Sequence, residues 1–345
     1  MRLNYCTLFN SAYLSRGLAM YDSLKNVTKD FHLFVFAFDD ETHQYFSKQH
    51  FPQITVVSLG EFEDPELLRI KPGRTAGEYC WTCTSSTILY CIENFKLDHC
   101  TYIDADMIFY GDPLVLQEEM NDKSVLITEH RYTPMYDQSA TSGIYCVQYV
   151  TFKNDERGMK ALRWWRDACI EWCYNRFEDG KFGDQKYLDD WTSRFEGVHV
   201  LQHEGGGAAP WNIQQYLVVK HGQSIELINR KSTDRFPLIF FHFHGLRFFL
   251  EEMVEFTGSG YVLSSAVRNL LYKPYALKLF GIRDQIITAG LIANPNGTIQ
   301  ENRPSRSNNS FRILKQNLID LLRFAAGRTP HFRKLENQLY SRSEL

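Results

Sequence analysis

An apolar, strand-like run ends in Asp104-Ala105-Asp106, and a turn at Gly111-Asp112-Pro113 follows. In an extended segment, residues two apart share a face, roughly 6.6 Å apart along the strand. Two carboxylates placed like this can share one hard divalent cation, directly or through water. Without one they cannot easily both stay buried and charged. A cation there would neutralise a diphosphate and help it leave. Two carboxylates leave most of an octahedral shell open, so a third ligand is expected. The segment Phe240-Phe-His-Phe-His-Gly245 offers His242 and His244, which alternate with phenylalanines and so fall on one side. Imidazole among oxygen ligands suits Mn²⁺ better than Mg²⁺. The plainer readings are turn-forming aspartates and core histidines bonded to backbone.

Three further segments carry chemically interesting side chains. In Lys181–Trp191, Asp184-Gln185 opens a helix-like stretch, where a carboxylate also serves as a cap. Gly205-Gly-Gly-Ala-Ala-Pro-Trp211-Asn212 permits close backbone approach to a ligand, with Trp211 able to stack on a sugar face, or is a plain turn. Cys80-x-x-Cys83 lacks the second Cys/His pair that a zinc site needs and falls inside a helical stretch, so buried free thiols are expected.

These residues need a frame. Leu3–Phe9, His32–Phe38, Ile54–Leu59 and Cys100–Ile103 read as strands, and Leu14–Leu24, Glu41–Gln49 and Glu78–Asn94 as helices. That alternation predicts an α/β fold: a Rossmann-like, mostly parallel mixed sheet with helices on both faces. Ligands in such sheets bind at the carboxyl ends of the strands, where strand order reverses. Val125–Thr128, Gly143–Val150 and Leu238–Phe243 read as further strands, and Asp155–Asn175 as a long helix. A catalytic domain over 1–250 and a helical, basic C-terminal extension over 251–345 follow.

The 345 residues suffice for a large core, and 44% hydrophobic with 23% charged residues mark a globular chain. A net charge of −3 gives no case for a nucleic-acid partner. Residues 301–345 hold nine Lys/Arg and four Asp/Glu, a charge of +5, leaving −8 on residues 1–300. A basic stretch with the apolar stripe Phe311, Leu314, Leu318, Leu321 and Leu322 suits peripheral contact with an anionic membrane face, or a helix packed on the body. No stretch of ~18 apolar residues or secretion signal is visible, so a cytoplasmic location is expected.

Asp104-x-Asp106 after a strand, Ser142-Gly143-Ile144, Asp184-Gln185 and His242-x-x-Gly245 occur in that order. In this the chain resembles the nucleotide-sugar transferases of GT-A fold, in particular glycosyltransferase family 8 and its bacterial relatives, over roughly residues 3–250. The resemblance implies transfer of a sugar from a nucleoside diphosphate, UDP foremost, to a glycan or lipid-linked glycan hydroxyl, with retained anomeric configuration. It implies that Asp104 contacts ribose and metal, that Asp106 and His242 complete the Mn²⁺ or Mg²⁺ shell, and that His244 lies behind them. Asp184 would bind sugar hydroxyls, with Gln185 near the anomeric carbon. Thr7, Asn10, Tyr13 and Asp39 would hold base and ribose. Two departures stand out. The family's Lys-Pro-Trp after the His/Gly motif is absent, Arg247 being the nearest cation. Its arginine on the helix before Asp-x-Asp is also missing, and Arg74 or Lys71 is the substitute within reach. Two rival readings are a haloacid dehalogenase-type phosphatase with Asp104 as nucleophile, and a non-catalytic nucleotide-sugar-binding protein.

Overall fold

The first strand, β1 (Leu3–Phe9), is buried along its whole length, because both of its faces are covered. Leu3, Tyr5 and Phe9 enter one apolar cluster and Cys6 and Leu8 another, the alternation that a period of two dictates. The computed structural model describes residues 2–257, 260–300, 314, 315, 318, 319, 321, 322 and 338–345. After β1 come α1 (Leu14–Val27), β2 (Phe31–Ala37), α2 (Asp40–Lys48), β3 (Ile54–Ser58), α3 (Ala76–Asn94) and β4 (His99–Ile103). Helix α1 packs its Leu14, Leu18, Tyr21 and Leu24 on the Tyr5 side of the sheet. Helix α3 packs Cys83, Ile88, Cys91 and Ile92 on the Cys6 side. Thr75 and Glu78 form a capping box that fixes where α3 begins.

Then follow β5 (Met107–Phe109), β6 (Val125–Glu129), β7 (Tyr145–Lys153), α4 (Glu156–Glu171) and β8 (Val198–Val200). The seven-stranded sheet has the order β3-β2-β1-β4-β7-β6-β8. Strands β1 to β4 run parallel, whereas β7 is antiparallel to both β4 and β6. The sheet is therefore mixed and mostly parallel, with helices on both faces. Strand β1 lies between β2 and β4, so strand order reverses there and a crevice opens beyond their carboxyl ends.

The remaining strands are β9 (Tyr216–His221), β10 (Ser224–Asn229), β11 (Arg235–Pro237), β12 (Phe240–His242), β13 (Arg247–Phe249) and β14 (Met253–Glu255). Helix α5 (Lys273–Thr288) and β15 (Leu339–Ser341) follow. Strand β12 pairs antiparallel with β5. Phe241, Phe243, Phe248, Tyr272, Tyr275 and Leu279 share one core with Ile108 and Ala19, and the Phe243 and Tyr275 rings stack at 3.9 Å. Residues on both sides of position 250 thus bury apolar surface together.

All eight cysteines are free, with Cys80 and Cys83 inside α3. Phe311 of the C-terminal stripe lies outside the described residues; Leu314, Leu318, Leu321 and Leu322 are exposed. Among the described residues no helix is long and apolar enough to cross a membrane.

Candidate active site

The segment Asp104-Ala105-Asp106 is a turn between β4 and β5, not the extended run its spacing suggests. It forms the floor of a cavity of about 710 Å³ at the carboxyl ends of β1 and β4. His242 comes to it by strand pairing. It sits opposite Met107 in the β5–β12 ladder, and Phe243 N donates to Asp106 O at 2.9 Å. The glycine-rich loop braces β12 from its other side. Gly205 O accepts from Ile239 N and Phe240 N, and Ala208 O accepts from His242 N.

The glycines of that loop are required by packing. A Cβ on Gly205 would lie 2.0 Å from Pro237 O, and one on Gly207, whose φ is +95°, would lie 2.8 Å from the Thr128 methyl. Trp211 is 4% exposed, its indole N–H donates to His130 O, and its ring forms part of the cavity wall against His242 and His244.

The ligand atoms of Asp104, Asp106 and His242 lie within 4.8 Å of one another. His242 Nε2 is 3.1 Å from Asp106 Oδ1 and 3.7 Å from Asp104 Oδ2. Adjacent ligand atoms around a cation held at ~2.1 Å lie about 3 Å apart, so the set fits a hard divalent ion after small adjustments. His242 Nδ1 donates to Gln148 Oε1 at 2.9 Å, which orients the ring and aims Nε2 at the carboxylates. Tyr102 Oη donates to Asp104 Oδ1 at 3.0 Å. Gln148 and Tyr102 went unmarked in the sequence. Tyr102 could have been found two residues before Asp104 on the same strand face, whereas Gln148 sits mid-strand with no local signal.

The electrostatics agree with a cation site. Burial pushes the Asp104 carboxyl up to about 6, and Asp106 beside it adds to the push. Burial also works against the Asp106 charge, but His242 outweighs it and holds that carboxyl down to about 2. Burial alone would lower His242; the two carboxylates reverse this and raise it well above its ordinary value. In the metal-free protein a His242 proton therefore takes the place that a cation would fill.

The other sequence-marked residues divide sharply. Asn10, Tyr13, Asp184, Gln185 and His244 line the same cavity. Asp184 does not cap a helix, because the short turn Lys186–Asp190 has Gln185 at its N-cap. Gln185 Nε2 donates to Ser142 O, joining two of the four sequence motifs. Trp81, Thr84 and Phe182, none of them singled out in the sequence, complete the wall around Asp184.

Thr7, Asp39 and Arg74 do not line the cavity. Thr7 is fully buried within β1. Asp39 caps α2 and accepts from Ser11 and Thr42, which occupies both of its oxygens. Arg74, two residues before α3, stacks 3.8 Å over Tyr174 and donates to Ile170 O. Lys71 is held by Glu63 at 2.6 Å. The phosphatase reading loses its acidic pair. Asp189 is engaged by Ile144 N and Lys186, and Asp190 by Arg194.

Burial pushes the Asp184 carboxyl up to about 7, and the Asp104 charge pushes the same way. The unfolded value is near 3.9, so between pH ~4 and ~7 the folded chain keeps a proton that the unfolded chain releases. Stability from this group therefore falls as pH rises through that window. Asp184→Asn should stabilise the metal-free protein at pH 8 by on the order of 3 kcal/mol, with no gain left near pH 4. Urea unfolding in EDTA at both pH values measures this; an equal difference at the two would refute it.

No protein-family model matches the chain. The uncharacterized protein YfnD of Bacillus subtilis (strain 168) is 30% identical over 293 residues, covering 83% of this chain and 91% of YfnD. YfnF of the same organism is 33% identical over 251 residues, covering 70% of this chain and 81% of YfnF. Among solved structures, the galactosyltransferase LgtC in complex with donor and acceptor sugar analogues aligns with a TM-score of 0.49 at 11% identity. The alignment covers 70% of this chain and 87% of that one.

Proposed function

The chain belongs to the same family as YfnD and YfnF of Bacillus subtilis, and we propose that it is a glycosyltransferase of GT-A type. In this reading it moves a sugar from a nucleoside diphosphate, UDP foremost, to a glycan or lipid-linked glycan hydroxyl. One observation carries the proposal. Asp104, Asp106 and His242 converge from separate segments at the point where strand order reverses, in a cavity that also holds Asp184 and Gln185.

Asp104, Asp106 and His242 would hold Mn²⁺ or Mg²⁺, and the ion would offset the charge that builds on the leaving diphosphate. Each side of the cavity has its own task. Asn10 and Tyr13 follow β1 and border the metal floor, where base and ribose would lie. Asp184 and Gln185 face the floor from the α3 side and would bind sugar hydroxyls. Burial raises the Asp184 carboxyl, which suits hydrogen bonding to a sugar. Retained configuration is part of the proposal through the resemblance, and a covalent glycosyl-aspartate is not.

A panel of nucleoside-diphosphate sugars, each with and without Mn²⁺, tests this. The expected result is slow hydrolysis of one donor class that EDTA abolishes, together with thermal stabilisation by that donor and the metal jointly. Folded protein that neither binds nor hydrolyses any donor with either metal would end the assignment. Stabilisation without hydrolysis or transfer would favour the non-catalytic binding protein.

A further inference from the structure

Tyr132, Trp211 and Tyr261 form an aromatic stretch of the cavity wall that the donor reading leaves without a task. Tyr132 and Tyr261 are half-buried, and both pack against the cluster of Cys146, Ala209 and Trp211. Trp211 meets His242 and His244 edge-on at 5.4 and 5.7 Å, so this wall adjoins the metal floor. A half-open tyrosine ring offers a flat apolar surface with a hydroxyl at its rim. That combination suits a sugar, which has an apolar C–H face and polar edges.

The three rings are held in different ways. Tyr132 lies three residues beyond β6, and the His130 ring stacks on it at 4.5 Å. Trp211 is fixed by its bond to His130 O. Tyr261 belongs to no helix or strand, and part of its support comes from the far end of the chain. Gln338, 3% exposed, donates through Nε2 to Tyr261 O at 2.5 Å. Its Oε1 accepts from Thr257 N at 3.1 Å and from the Thr257 hydroxyl. One side-chain amide thus joins Thr257 to Tyr261 across 81 and 77 residues of sequence. On the other side, Val262 N donates to Tyr136 Oη at 2.9 Å and Val262 O accepts from Gln214 Nε2 at 2.8 Å. Tyr261 is therefore held between the body and the C-terminal segment.

Strand β15 seats Gln338. It pairs with β14, the Tyr340 ring stacks on Phe256 at 4.7 Å, and Arg342 pairs with Glu252 at 3.0 Å and Asp284 at 2.7 Å. A buried amide that loses its partners is costly, so Gln338 and the residues it joins are placed together.

We propose that the C-terminal strand is a working part of the acceptor side. Gln338 is a positioning residue that holds the Tyr261 ring in the cavity wall, and Tyr261 with Tyr132 receives the face of a saccharide acceptor. The proposal rests on the glycosyltransferase reading above and names the residues that meet the acceptor.

The test begins with calorimetric titration of the full chain with UDP, GDP, CDP and dTDP, each with Mn²⁺. Saturation-transfer NMR follows in the presence of the nucleotide that binds, with the methyl glycosides of glucose, galactose and N-acetylglucosamine as probes. At least one glycoside should receive magnetisation from the aromatic protons of the wild type. Tyr261→Ala should weaken that glycoside about tenfold, whereas Tyr261→Phe, which keeps the ring, should retain most of the binding. Gln338→Ala should weaken it about fivefold while the nucleotide with Mn²⁺ binds as tightly as to wild type. Equal loss of nucleotide and glycoside would make Gln338 purely structural and overturn its role, and so would unaltered glycoside binding. Arg342→Ala loosens the same segment at its exposed end and decides the matter if Gln338→Ala does not fold. It should also weaken the glycoside, and no change would overturn the proposal. A wild type that binds a nucleotide with Mn²⁺ but no glycoside overturns the saccharide subsite alone. One that binds no nucleoside diphosphate sinks the glycosyltransferase reading instead.

Discussion

Asp106→Asn is expected to cut Mn²⁺-dependent donor turnover by about 10³-fold or more while leaving the protein folded. The substitution keeps the shape of the side chain and removes the charge that faces His242 at 3.1 Å. The His242 proton, held by that charge in the metal-free state, should then be released near or below its ordinary range, which imidazole NMR shifts would report. Asp104→Asn should lose comparable activity but behave differently in stability. Burial already pushes Asp104 up to about 6, so its charge is unfavourable without a metal. Its replacement should raise the unfolding midpoint in EDTA at pH 8 and should not raise it near pH 4. Wild-type turnover in either variant would remove the metal site from the mechanism. A thermal midpoint that collapses in both would instead make the pair a structural feature.

Gly205→Ala carries the largest expected stability loss, roughly 3 kcal/mol and a melting temperature lower by several degrees. The added Cβ would stand 2.0 Å from Pro237 O, a backbone atom that cannot swing aside. Gly205 O also holds Ile239 and Phe240, so relief of the clash must shift β12. Mn²⁺ affinity should fall with stability, because β12 delivers His242 to the two aspartates. Gly281→Ala on α5 is the contrasting case, since nothing lies within 4 Å of its added Cβ. It should stabilise by about 1 kcal/mol. Thermal unfolding of both variants measures the contrast; equal midpoints would show that the loop yields more easily than its contacts indicate.

Much of the N-terminal half could be read in advance. Leu3–Phe9 was bounded correctly, and the strands read as His32–Phe38 and Cys100–Ile103 moved by one residue, to Phe31–Ala37 and His99–Ile103. Such runs are legible because burial on both faces leaves an unbroken apolar string between polar turns. The three-residue strands β13, β14 and β15 were not legible, since three residues carry no period and β15 joins β14 from more than 80 residues away. The antiparallel placement of β7 between β4 and β6 was equally hidden.

The candidate site divides along the same line. Local order sufficed to mark Asp104, Asp106 and the His242/His244 pair, because each stands at the end of a strand or beside a turn, whereas Asp184 and Gln185 were marked through the resemblance. Local order misjudged Arg74. It lies upstream of the helix, as the sequence placed it, but where its side chain goes depends on packing, and the guanidinium stacks on the Tyr174 ring. It also passed over Gln148, whose partner His242 lies 94 residues away.

The sequence by itself determined the strand–helix alternation of the N-terminal half and that two aspartates follow the fourth strand, since hydrophobic periodicity and turn chemistry act over a few residues. Only the tertiary structure decided that these aspartates meet His242 and that Arg16 on α1 bonds the carbonyls of Leu246 and Asn296. It also decided that the glycine-rich loop braces β12. Those outcomes depend on the β5–β12 pairing and on the contacts of α1 with the segments around 246 and 296. Long-range contacts of this kind are set by which buried surfaces fit and which buried charges find partners, and no local pattern encodes that.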